Sequence, residues 1–210
     1  MGNRAILTDR NYSKGIYLHW NGGRDSVTGF LEYAKLLKYT NIYDLYTVIK
    51  PMLRGSCEIC GTSPDDKIGD NGTYIIDFTN MEIVGRKFAP YYEQDEHNLI
   101  EFMEHLDSYQ PEHLQLKKFI SAIPIKSSKD VKVGDRLCTI CITTNKYIEC
   151  EVVGFAGNEN FTSNRFLGLP IINRYLNKDK ITVNLDNPNN YIEFSNKYSC
   201  EYRKIIENKE

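Results

Sequence analysis

The sequence predicts an α+β protein, with N-terminal β-hairpins and packed helices over residues 1–125, then a small β-barrel or sandwich-like domain over residues 126–210. Two periodicities predict the first part: short runs alternate apolar and polar residues, and longer runs repeat apolar residues every three or four positions. A third observation predicts the second part. After Pro124 the chain turns to short β-branched runs separated by polar turns, the texture of a small all-β domain.

Residues 5–9 and 15–20 read as two strands joined by a polar turn over residues 11–14. In the second strand Ile16, Leu18 and Trp20 alternate with Tyr17 and His19, so the two sets face opposite ways. Asn21-Gly22-Gly23 breaks the strand, and Asp25 or Ser26 caps a helix whose stripe is Val27, Phe30, Leu31, Ala34 and Leu37. A second helix is expected over residues 42–53, with Leu45, Val48, Ile49 and Met52 as its stripe and Pro51 ending or kinking it. Asp70-Asn71-Gly72 signals a turn before a second hairpin, residues 73–78 and 81–88. Residues 95–109 carry a helical pattern with Leu99, Ile100, Met103 and Leu106 on one side, and a shorter helix is expected over residues 112–120. Lys126-Ser127-Ser128-Lys129 reads as a linker or loop, and strands are expected at 137–143, 147–155, 168–172 and 180–185.

The 24.3 kDa chain of 210 residues is 41% hydrophobic and 26% charged, proportions of an ordinary folded protein able to bury a core. No apolar run approaches the roughly 20 residues needed to cross a bilayer, and no apolar signal core follows the first residues, so a cytoplasmic protein without membrane partners is expected. Six cysteines are then expected to be reduced thiols. Charge is uneven: residues 1–125 carry a net −4 and residues 126–210 a net +2, while residues 57–112 alone carry −10. That middle segment disfavours indiscriminate coating of nucleic acid and favours a basic protein partner.

The segment from His19 to Ser26 joins a strand end to a helix start. Helix N-terminal amides attract anions, and glycines let a ligand approach the backbone. Arg24, with Arg4 across the hairpin, can fork onto phosphate, and Trp20 can stack on a base. Asn21, Gly22, Gly23 and Ser26 complete this candidate anion or nucleic-acid site, and His19 with Asp25 forms a candidate proton-moving pair. The same residues also suit a tight turn, a helix cap and a core tryptophan. The glycine spacing fits neither a dinucleotide fingerprint nor a P-loop.

Two Cys-x-x-Cys pairs, Cys57/Cys60 and Cys138/Cys141, have zinc-ligand spacing, and the first is followed by glycine as in metal knuckles, but the second lies inside an expected strand, where residues three apart point to opposite faces. His97, Glu101 and His105 recur every four residues, as a solvated helix face or a metal site would. Neither pattern is taken as a metal site, and no cofactor is expected. Glu93, Asp95, Glu96, Glu101, Glu104 and Asp107 lie in a stretch without lysine or arginine and can imitate a row of phosphates toward a protein partner. In the second part, Val133-Gly134-Asp135 reads as a turn at a strand entry, and Lys146, Arg165, Arg174, Lys178 and Lys180 fit either a basic face or, more readily, a dispersed solvated surface.

Residues 1–6 with Gly15-Ile16-Tyr17-Leu18-His19-Trp20-Asn21-Gly22-Gly23-Arg24-Asp25-Ser26-Val27, and residues 69–76 with Glu82-Ile83-Val84-Gly85-Arg86, resemble small proteins carried by phages, plasmids and conjugative elements of Gram-positive bacteria. Some proteins of that kind inhibit type II CRISPR–Cas systems, at times by blocking the loading of the guide RNA or by shortening it. The resemblance covers about the first 90 residues and brings no catalytic set with it. It implies an anti-defence protein whose partners are a CRISPR–Cas effector nuclease, its guide RNA, or both. If RNA is cut, the expected chemistry is metal-independent, with His19 moving the proton and Arg24 stabilising charge. The alternatives are a binding inhibitor that uses the acidic surface, an enzyme acting on a nucleotide defence signal, and a DNA-binding accessory protein of replication or conjugation.

Overall fold

The computed structural model describes residues 3–61, 70–90, 97–125, 130–132, 134–140, 147–155, 171–175 and 202–206. The chain divides into two compact units, Met1–Pro111 and Glu112–Glu210. This boundary precedes the expected one at 125, because Ile123–Pro124 pairs with Tyr202–Lys204 and so belongs to the second unit.

The first unit holds a five-stranded mixed sheet. Its strands are β1 (Ala5–Thr8), β2 (Lys14–Leu18), β3 (Cys57–Gly61), β4 (Thr73–Asp77) and β5 (Glu82–Lys87), in the order β3-β2-β1-β4-β5. β1 is central, antiparallel to β2 and parallel to β4. All four of its residues are buried, as a strand covered on both faces requires. Both expected hairpins are present, and β3 adds to β2 as an edge strand that the sequence pattern did not signal.

Three helices accompany the sheet. α1 (Arg24–Leu36) buries Val27, Phe30, Leu31, Tyr33 and Ala34. α2 (Ile42–Leu53) begins at Asn41, whose side chain accepts from the amides of Tyr43 and Asp44. Pro51 falls in its last turn, and the left-handed Arg54 (φ 51°) ends it. α3 (Leu99–Tyr109) is capped by Asn98 in the same way. Its inner stripe is Phe102, Met103 and Leu106, while Leu99 and Ile100 are exposed. Phe102 turns inward because Gly29 leaves no side chain in its way, and its ring meets Phe30 edge-on at 5.2 Å.

The second unit carries an antiparallel sheet of β6 (Ile123–Pro124), β7 (Arg136–Ile140), β8 (Tyr147–Phe155), β9 (Ile171–Tyr175) and β10 (Tyr202–Lys204). Its order is β6-β10-β7-β8-β9, and β6 and β9 do not pair, so among the described residues the sheet is open rather than a closed barrel. The helix expected over 112–120 is instead two 3₁₀ turns, Glu112–Leu114 and Lys117–Phe119. The Gly134-Asp135 turn forms as expected, with the Lys132 amide donating to the Asp135 carboxylate. The expected strand at 180–185 lies outside the described residues, as does the 126–129 loop. Among the described residues, no helix is long and apolar enough to cross a membrane.

Candidate functional site

β2 ends at Leu18, and residues 19–23 carry the chain to α1. Asn21 adopts the left-handed conformation (φ 57°) that asparagine tolerates. Gly22 is pressed against the chain's start: a Cβ there would lie 2.7 Å from both the Ala5 Cβ and the Asn3 carbonyl oxygen. The Gly22 amide donates to the Asn3 carbonyl at 2.8 Å, and its carbonyl accepts from the buried Tyr74 hydroxyl at 3.0 Å. Gly22 therefore serves internal packing rather than ligand approach. Gly23 is buried and is the N-cap of α1, without a side-chain cap.

Other members of the expected anion site are also engaged internally. Arg4 forks onto Asp70, with Nε–Oδ2 at 3.4 Å and Nη2–Oδ1 at 3.3 Å. That pairing holds the Asp70 carboxyl below its ordinary range. Asp25 accepts the Ser26 amide on Oδ1 at 2.7 Å and the His97 amide on Oδ2 at 2.9 Å, tying the start of α1 to the approach of α3. The Ser26 hydroxyl is fully buried and finds no hydrogen-bond partner among the described residues. Arg24 is exposed at the first position of α1, and its carbonyl accepts from the Thr28 hydroxyl.

The exposed part of the segment is aromatic. The Trp20 side chain is 46% exposed, so it is not the core tryptophan that its parity with Ile16 and Leu18 suggests. His19 is exposed and meets Trp20 edge-on, with centroids 5.0 Å apart and planes at 83°. On its other side, His19 Nδ1 lies 3.1 Å from the Tyr17 hydroxyl. The His19 amide donates to the Ser56 carbonyl at 2.9 Å, which fixes its backbone against the residues following α2. The group orienting His19 is thus Tyr17 and not Asp25. Strand alternation placed Tyr17 and His19 on one face, and that was the available signal for their pairing.

The arrangement offers a ring face for stacking and one imidazole whose Nδ1 is engaged, which leaves Nε2 for a ligand. Cleavage of RNA by acid–base chemistry needs an acid and a base at the reacting bond. Asp25 is committed to two amides.

The acidic surface is only partly formed by the residues expected for it. Glu101 and Glu104 are exposed on α3. Asp107 is 7% exposed and accepts a hydrogen bond from the buried Tyr33 hydroxyl, so it belongs to the core. Glu93, Asp95 and Glu96 lie outside the described residues. His97 stacks on Phe102 and His105 meets Tyr109, and no cluster of potential metal ligands occurs among the described residues. Cys57 and Cys60 occupy β3 opposite Leu18 and Gly15, so they point to opposite faces. Burial pushes both thiols up, and pushes Cys138 up to about 12, so all three are held as neutral thiols. Cys141, Lys146, Arg165, Lys178 and Lys180 lie outside the described residues, and Arg174 is described only as backbone in β9.

No family model, curated protein or solved structure matches the chain.

Proposed function

We propose that this protein is an anti-defence inhibitor that acts on a type II CRISPR–Cas effector at the stage of guide-RNA loading, by stacking an unpaired base of the RNA on Trp20. The observation that carries the reading is the exposed indole at the end of β2, braced by an imidazole that a tyrosine hydroxyl orients. Each base stacked on an aromatic ring contributes about 1–3 kcal/mol. The resemblance of residues 15–27 to small mobile-element proteins, some of which are inhibitors, supplies the biological setting. His19 contributes an Nε2 contact to base or phosphate and stiffens the platform. The acidic-mimic alternative loses Asp107 to the core. The nucleotide-enzyme alternative calls for a buried pocket around His19 and Arg24, and both side chains are exposed.

The test is co-expression of the chain with a type II effector and its guide, followed by affinity capture of the effector and gel analysis of the bound RNA. The reading predicts an effector depleted of full-length guide, with loading restored by Trp20→Ala. Normal loading beside the unaltered chain, or any shortening of the guide by it, contradicts the reading.

A further inference from the structure

The outer flank of α2 carries a second, independent feature. Tyr43, Thr47 and Lys50 recur at spacings of four and three, so they share one side of the helix, and all three are exposed. The exposed Arg54 follows at the capping position. Lys14 joins the stripe from β2: its Nζ donates to the Tyr43 hydroxyl and lies 5.1 Å from that ring's centroid. Lys50 Nζ sits 5.6 Å from the centroid of Tyr46. Among the described residues, the side chains of Lys14, Lys50 and Arg54 enter no ion pair, although the chain has a net charge of −2. Asp44, on the same helix, is occupied by the Asn41 side-chain amide and the Thr40 backbone amide.

Three unneutralised cations interleaved with two tyrosine rings complement a chain that alternates phosphates with flat bases. An acidic peptide matches the charges but brings no flat group to stack on the Tyr43 ring, which is 49% exposed. A duplex presents phosphates but keeps its bases stacked away from the rings.

The position adds to this. Ser56, two residues beyond Arg54, accepts the amide of His19, so the stripe ends at the strand terminus that bears Trp20. The helix is about 18 Å long, close to the rise of about five stacked nucleotides. We infer that the α2 flank, with Lys14, Tyr43, Tyr46, Lys50 and Arg54, is a track for the backbone of single-stranded RNA leading to the Trp20 platform. The choice of RNA rests on the proposed function; the track itself rests on the α2 geometry.

The experiment is fluorescence anisotropy of a 5′-labelled oligouridine of about 12 nucleotides, titrated with the full chain across a range of potassium chloride concentrations. The combined variant Lys14→Gln, Lys50→Gln, Arg54→Gln is expected to bind at least about 30-fold more weakly at low salt, and to lose about 2 units of salt slope, near 0.7 per contact. The charge-conserving variant Lys14→Arg, Lys50→Arg, Arg54→Lys is expected to bind as the unaltered chain does, which separates lost charge from lost folding. Trp20→Ala is expected to weaken binding with the slope unchanged. Unaltered affinity and slope in the glutamine variant overturn the track, and if Trp20→Ala still weakens binding, the platform survives that result. Equal competition by a duplex of the same length, or by polyglutamate of equal charge, also overturns it. A track confirmed beside an effector that keeps its guide would instead remove the proposed function alone.

Discussion

The Tyr17 hydroxyl lies 3.1 Å from Nδ1 of His19, and the same imidazole stands edge-on to Trp20. A tyrosine at mid-strand thereby sets the orientation of a histidine beyond the strand's end, and the histidine props the exposed indole. Tyr17→Phe removes this hydrogen bond and little else. It is expected to lower affinity for single-stranded RNA several-fold, with the melting temperature within about 2 °C of the unaltered chain. Anisotropy and thermal melts on the same samples check both halves.

Gly22→Ala tests the reading of this glycine as a packing residue. Its new methyl would press on the Asn3 carbonyl and the Ala5 side chain. A loss of about 1–3 kcal/mol is expected, measured as a lower urea midpoint with an unchanged slope.

Asp25 separates structure from chemistry. Its two oxygens hold the amides of Ser26 and His97. Asp25→Ala is expected to cost about 1–2 kcal/mol of stability while RNA affinity stays within about twofold. A variant of full stability that loses RNA binding or guide interference would return Asp25 to the functional site.

In the second unit, burial opposes ionisation of Glu149, yet the Tyr147 hydroxyl at 2.6 Å and the Arg136 guanidinium prevail and lower its carboxyl pKa. A carboxyl depressed by folding contributes stability above its unfolded pKa of about 4.3 and loses it as pH falls through the folded value. Hydrogen exchange of β7 amides is therefore expected to accelerate as pH falls below about 4.3, beyond the intrinsic change in rate. Glu149→Gln is expected to remove that pH dependence and to cost about 1–3 kcal/mol at neutral pH.

The local elements were legible where one periodicity dominated. Leu45, Val48 and Ile49 with an Asn41 cap mark α2, and Ile16 and Leu18 mark β2. The segment Cys57-Glu58-Ile59-Cys60-Gly61 resembles a metal knuckle as much as a strand, and pairing with β2 decides its conformation. The parallel pairing of β1 with β4 joins Ile6 to Thr73, a separation that no local pattern encodes. For α3, Met103 and Leu106 of the expected stripe are buried, but Phe102 faces inward where Leu99 and Ile100 are expected, because the space that Gly29 leaves for Phe102 exists only once α1 is packed. Trp20 was the harder residue. It shares parity with Leu18, but β2 ends before it and Asn21 turns the chain in the left-handed region, so parity no longer predicts burial. Asp107 failed in the opposite sense: it sits in an acidic stretch and is drawn inward by Tyr33.

Trp20 is the single tryptophan of the chain, so its emission reports the proposed contact without labelling. Titrating single-stranded RNA while recording tryptophan fluorescence and anisotropy together tests the central claim most directly. The account predicts saturable quenching that tracks binding and yields the same dissociation constant. Binding that leaves the emission unchanged would show that the RNA never reaches the indole, and would contradict it.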